Sequence, residues 1–206
     1  MIPDLSVDPS GSSVDDRHRV PTGDTGTAVS RLAVVLGSAR PGRFGPVVAS
    51  WVTEQARRHR QVDIDLVDID DHQAVDREAV AALGGRLAAA DAFLFVVPEY
   101  NHSFPGELKT VIDRFTTEWA RKPVGFVSYG GLAGGLRAVE QLRLVFIELL
   151  AVPVRDTVSF HGARSAFGPD GNPHQHEAAR AALDQLLTQL AWWATALRTA
   201  RRAQPA

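Results

Sequence analysis

The sequence predicts an α/β fold, a three-layer sandwich around a five-stranded parallel sheet. Three observations predict it. Short apolar runs alternate with amphipathic stretches from Arg31 to the C-terminal region. The runs have strand length, whereas the stretches between them carry apolar residues at helical spacings of three and four. Alternation of this kind implies a parallel sheet with helices on both faces.

The elements follow in order. Leu32-Ala33-Val34-Val35-Leu36, closed by Gly37-Ser38, reads as a buried parallel strand. Val47, Val48, Trp51 and Val52 mark a helix, and Val62 to Val67 alternates like a second strand with a more exposed face. Val75 to Ala90 is expected to be helical and Asp91 to Val97 to be the third strand. Leu108, Val111, Ile112 and Phe115 form one helix face. Val124 to Tyr129 reads as the fourth strand, Leu136 to Leu150 as a helix, Val152 to Phe160 as the fifth strand, and Pro173 to about Arg201 as a last long helix. Five strands fit the order 2-1-3-4-5 better than a six-stranded dinucleotide fold. Ligands then sit outside the carboxyl ends of the strands, where the order reverses between strands 1 and 3.

Composition bounds the chemistry. The chain has 206 residues, 45% of them hydrophobic, and a net charge of −2. Having no cysteine, it excludes disulfide scaffolds, Cys-based zinc sites and thiol redox chemistry. Redox work would need a bound cofactor. The near-neutral charge points to neither nucleic acid nor membrane as a partner, and no metal site is expected. Residues 1–30 carry Asp4, Asp8, Asp15, Asp16 and Asp24 among Ser, Gly, Pro and Thr without periodicity, and are expected to be a disordered tail. Residues 31–206 are expected to form one domain. No signal peptide is recognised, and a cytoplasmic location is the default expectation.

The loops after strands 1, 3 and 4 are all unusual. The first is Gly37-Ser38-Ala39-Arg40-Pro41-Gly42-Arg43-Phe44-Gly45, ahead of a helix. Backbone N–H groups, the helix dipole, Ser38 and Arg40 make an anion site there. It lacks the P-loop Lys-Ser/Thr and the G-x-G-x-x-G spacing. The second is Pro98-Glu99-Tyr100-Asn101-His102-Ser103-Phe104-Pro105, whose prolines and aromatics make a shaped surface able to meet a flat polar ring. The third is Ser128-Tyr129-Gly130-Gly131-Leu132-Ala133-Gly134-Gly135, whose paired glycines permit close backbone approach.

Taken in order, these stretches resemble the NAD(P)H-dependent FMN reductase family, flavodoxin-like flavoproteins that include quinone, azo-dye and chromate reductases. The resemblance rests on Gly37-Ser38-Ala39-Arg40, on Pro98 to Gly106 with Leu108-Lys109 and Ile112-Asp113, and on the glycine pairs with Arg137-Ala138 and Gln141-Leu142-Arg143. It spans about Arg31 to Val158. It implies a flavodoxin-like fold binding FMN, with NADPH or NADH as hydride donor and a small electron acceptor: a quinone, azo compound, metal oxyanion or free flavin. It implies that Ser38, Arg40 and the N–H groups up to Gly45, through Arg43 and Phe44, hold the FMN phosphate. Pro98, Glu99, Tyr100 and Asn101 would line the pyrimidine edge, with the N–H groups of Glu99, Tyr100 and Asn101 facing its oxygens. Ser128, Tyr129, Gly130 and Gly131 would flank the ring on the other side. The chain departs from the pattern at Phe44-Gly45, where many members have a second Ser or Asn, and at Thr110, where Asn is usual.

Such chemistry needs no acid–base set, because the flavin performs it. His102 in the second loop is a weak candidate proton donor, with a loop-bracing role favoured. His174 and His176 lack the partners of a metal site. Trp192 and Trp193 read as core plus interface. Apolar residues on more than one face of the Leu136–Leu150 helix, Leu144 and Ile147 among them, point to a homodimer or homotetramer. Three other readings stay open: a non-catalytic flavodoxin-like electron carrier, a reductase component supplying reduced flavin to a monooxygenase, and a fold relative that has lost flavin and acts as a binding or biosynthetic protein.

Overall fold

The computed structural model describes residues 30–72 and 76–203. Residues 1–29 of the tail expected over 1–30, the first residue of the expected helix at Val75, and residues 204–206 lie outside them. Five strands form one parallel sheet in the order β2-β1-β3-β4-β5. They are β1 (Ser30–Leu36), β2 (Val62–Asp68), β3 (Ala92–Pro98), β4 (Pro123–Tyr129) and β5 (Val152–Phe160). The helices are α1 (Gly45–Ala56), α2 (Arg77–Ala89), α3 (Gly106–Asp113), α4 (Leu136–Glu148), the four-residue α5 (Ala163–Ala166) and α6 (His176–Ala203). Strand β1 begins at Ser30, one residue inside the expected tail, and the last helix starts at His176 rather than Pro173. The short α5 has no counterpart in the sequence reading.

The continuous apolar strands divide their side chains between two layers because strand side chains alternate faces. Leu32, Val34, Leu36, Leu94 and Val96 pack with Val48, Trp51 and Val52 of α1 and Leu183, Leu186 and Leu190 of α6. Ala33, Val35, Phe93, Phe95 and Phe126 pack on the opposite side with Leu83 and Leu87 of α2, Leu108 and Ile112 of α3, and Leu142 and Phe146 of α4. The second layer centres on Trp119, fully buried, with its indole N–H bonded to the carbonyls of Phe115 and Ile112 at 2.9 and 3.1 Å. Trp193 packs against the first layer while Trp192 is 51% exposed.

The opposite end of the sheet from the β1, β3 and β4 loops is tied by charge. Asp91, before β3, takes ion pairs from Arg198 at 2.9 Å and Arg201 at 3.3 Å, both on α6. Lys122, buried before β4, donates to the carbonyls of Leu87 and Ala88, each at 2.9 Å. It thus caps the negative end of α2. Among the described residues, no helix is long and apolar enough to cross a membrane.

Candidate functional site

The parallel sheet places the ends of β1, β3 and β4 side by side. Their loops enclose a cleft of about 650 Å³, lined by Arg40, Arg43 and Phe44 from the first loop, Pro98 to Asn101 from the second, and Tyr129 to Gly131 from the third. A fourth wall comes from Gly162, Ala163, Arg164 and Ser165 after β5. Sequence reading missed that wall, because residues 161–175 carry no motif or periodicity.

The first loop feeds directly into α1. Phe44 precedes that helix and provides no side-chain cap, and Pro46 in the first turn has no N–H. The positive end of α1 therefore has no side-chain cap, although Pro46 offers no donor to an anion and the Val47 N–H is taken by the Phe44 carbonyl at 3.1 Å. Arg43 does not serve it freely. Its guanidinium forks onto Asp68 at 2.7 and 2.8 Å, reaches Asp70 at 3.3 Å and also donates to the Ser38 carbonyl. Arg40 instead lies over the Tyr100 ring, 4.8 Å from its centroid, and has no carboxylate partner among the described residues.

Ser38, expected as a direct phosphate donor, is fully buried, and its Oγ lies 3.4 Å from the Tyr129 hydroxyl. The physical reason is close packing at Gly45. A Cβ there would stand 2.7 Å from the Tyr129 hydroxyl and 3.1 Å from Ser38 Oγ. Ser38 and Gly45 thus stand behind the cleft and shape it. Burial pushes the Tyr129 hydroxyl up to about 12, so it stays protonated as a hydrogen-bond donor.

The second loop is a tight reversal. Tyr100 and Ser103 exchange N–H···O bonds of 2.9 and 3.0 Å, with Asn101 at φ 49° and His102 at φ 72°. Two positive φ values in succession define a I′-type turn, and Asn tolerates that region well. Two of the three amides expected to face the ring are engaged inside the protein: Glu99 N–H bonds the Tyr129 carbonyl at 3.0 Å, and Tyr100 N–H bonds Ser103. The Asn101 N–H has no acceptor among the described residues. Gln141 of α4 braces the turn, donating to the His102 carbonyl at 3.0 Å and accepting from Ser103 Oγ at 2.5 Å. His102 itself stays exposed at the turn tip, outside the cleft lining.

The third loop is held by its buried neighbours. Ser128, expected beside a ring, is fully buried and donates to the Gly134 carbonyl at 2.9 Å. Gly135 has φ 89°, and a Cβ there would meet Ser128 Cβ at 2.6 Å and Tyr129 N at 2.8 Å, so only glycine fits. Gly130 is packed between Gly135 and Glu99, whereas a Cβ on Gly131 would meet nothing within 4 Å. Gly131 is therefore the position where the backbone stands open.

These features fit an elongated ligand with an anion at one end and a flat polar ring at the other. The anion end has Arg40 and the uncapped start of α1. The ring end has the Asn101 N–H, the aromatic faces of Tyr100 and Tyr129, and the open backbone of Gly131. FMN has that shape. Among the described residues, no cluster of His, Asp and Glu could hold a metal ion.

Residues 30–165 match the family model described as NADPH-dependent FMN reductase. The chain is 34% identical over 140 residues to an NAD(P)H-dependent FMN reductase of Schizosaccharomyces pombe, covering 60% of this chain and 70% of that one. It is 35% identical over 137 residues to the quinone reductase of Escherichia coli K12, covering 59% and 73%. Among solved structures it resembles FerB, a flavoenzyme NAD(P)H:(acceptor) oxidoreductase from Paracoccus denitrificans. The TM-score is 0.64 at 24% identity, with 81% of this chain and 97% of that one covered.

Proposed function

Since the chain belongs to the NADPH-dependent FMN reductase family and is an FMN-dependent NAD(P)H oxidoreductase, we propose that the cleft at the β1, β3 and β4 ends holds the FMN and that a quinone is the electron acceptor. One observation carries the site: the three loops singled out by sequence line a single cleft at the switch point of the sheet. When bound, FMN supplies the group that takes hydride from NAD(P)H and passes it on.

The protein's own residues bind and orient. Arg40 and the uncapped start of α1 hold the phosphate. Arg43, fastened to Asp68, keeps the loop in shape. The Asn101 N–H, without an acceptor among the described residues, would donate to an oxygen of the flavin ring and favour negative charge there. Tyr129 and Phe44, whose rings meet edge to face at 6.3 Å, exclude water from the inner wall. Gly131 leaves room for a planar partner over the ring.

A quinone is supported by the likeness to the E. coli quinone reductase and by the aromatic lining of an otherwise open cleft. Steady-state assays with a benzoquinone, an azo dye, chromate and free FMN test it. The quinone should give the highest kcat/KM, with one NAD(P)H oxidised per hydroquinone formed. Faster turnover of free FMN would favour a reductase that feeds a monooxygenase.

A homodimer or homotetramer is proposed from α4, where Leu144 and Ile147, with Leu150 just beyond, are 72%, 57% and 68% exposed. Light scattering of the purified protein tests it, and a monomer would refute it. The cytoplasm, which supplies NAD(P)H, is the proposed location.

A further inference from the structure

We propose that Arg164, reaching across from the segment after β5, is the second cationic ligand of the FMN 5′-phosphate and sets the preference for FMN over riboflavin. The proposal rests on the reading of the cleft as the FMN site. Arg164 lines the same cleft as Arg40. Its Nη2 donates to the Gly42 carbonyl at 3.1 Å, although 122 residues separate the two in sequence. Its guanidinium lies 5.6 Å from the centre of the Phe44 ring, the residue that precedes α1. A positive charge is thus held over the loop that leads into an uncapped helix start.

Charge balance decides which arginines are available. Arg43 is neutralised by Asp68 and Asp70. Arg40 and Arg164 have no carboxylate partner among the described residues. A phosphate monoester carries close to two negative charges at neutral pH. Arg40 alone leaves part of that charge unmatched, whereas Arg40 and Arg164 together balance it. The bond to Gly42 uses one of five guanidinium N–H donors, so Arg164 keeps donors for phosphate oxygens without releasing the loop. Riboflavin, lacking the phosphate, gains nothing from either arginine.

The 2′-phosphate of NADPH offers the same chemistry, so the test separates the two sources. Apo-protein, Arg164→Ala and Arg164→Met are titrated with FMN and with riboflavin, reading flavin fluorescence. KM is then measured for NADPH and NADH with each FMN-loaded protein. Methionine retains an apolar stem against Phe44, which separates charge from packing. Both variants should weaken FMN about 10- to 100-fold. Riboflavin affinity and the NADPH-to-NADH ratio of KM should stay where they are. Equal weakening of both flavins, no weakening, or a loss confined to the alanine variant would overturn the proposal. A rise in KM for NADPH alone would also overturn it, placing Arg164 on the nicotinamide nucleotide. Wild-type protein that binds neither flavin would overturn the cleft reading itself, and this proposal with it.

Discussion

Arg137 Nη1 lies 2.8 Å from Glu99 Oε1, and this pair ties the loop after β3 to α4. The Glu99 side chain is 11% exposed, and its other oxygen is buried without a partner among the described residues. Removing Arg137 would leave the whole carboxylate unpaired in a low-dielectric wall. Such a loss costs about 1–3 kcal/mol, toward the lower end here because Arg137 is half exposed. Arg137→Ala should therefore lower the urea unfolding free energy by about 1–2 kcal/mol, and adding Glu99→Gln should restore part of it. An unchanged midpoint for the single variant would mean the pair does not hold the loop.

Arg40 and Arg43 sit three residues apart in one loop yet should behave differently. Among the described residues the Arg40 guanidinium makes no ion pair and lies over the Tyr100 ring, so Arg40→Ala should weaken FMN by about 1.5–3 kcal/mol and leave stability alone. Arg43 is bonded to Asp68 and to the Ser38 carbonyl, so Arg43→Ala should lower stability and FMN affinity together. Calorimetric titration beside urea melts separates the two. Equal effects on stability would remove the distinction.

The glycines of the third loop differ in the same way. Gly135→Ala forces a Cβ into Ser128 at a positive φ, and should cost about 2–4 kcal/mol. Gly131→Val enters open space, so the fold should persist while flavin binding falls. Full flavin occupancy in folded Gly131→Val would show that nothing approaches the backbone there.

Two buried groups give stability a pH profile with a maximum. Burial pulls the Lys122 ammonium down to about 8 from its ordinary 10.5. Between those values the unfolded chain binds more protons than the folded one, so stability rises with pH. Tyr129, pushed up to about 12 from 10.0, has the opposite sign: the folded state holds more protons between pH 10 and 12, and stability falls. Urea midpoints should climb from pH 8 to 10 and then decline. Lys122→Met should flatten the climb and Tyr129→Phe the decline. A profile unaltered by either substitution would contradict the assignment.

The strands were legible because each is a short, nearly continuous apolar run, and the sheet order followed from their number and alternation with helices. The three loops were legible because glycine, proline and aromatics at strand ends are informative without tertiary knowledge. What each side chain does inside them was not. Arg43 looked as free as Arg40 until strand pairing set Leu36 beside Asp68 and brought the carboxylate within reach. Ser38 read as an open donor, whereas the fold buries it with its Oγ 3.4 Å from the Tyr129 hydroxyl. Arg164 gave no signal, because it meets Gly42 only through the fold.

The most direct test of the central claim is an anaerobic titration of the FMN-reconstituted protein with NADPH and NADH, following the flavin absorbance. FMN uptake should be stoichiometric, one nicotinamide equivalent should bleach the flavin, and a quinone should restore the colour. A colourless protein that FMN cannot reconstitute, or a yellow one that neither nucleotide bleaches, would contradict the claim.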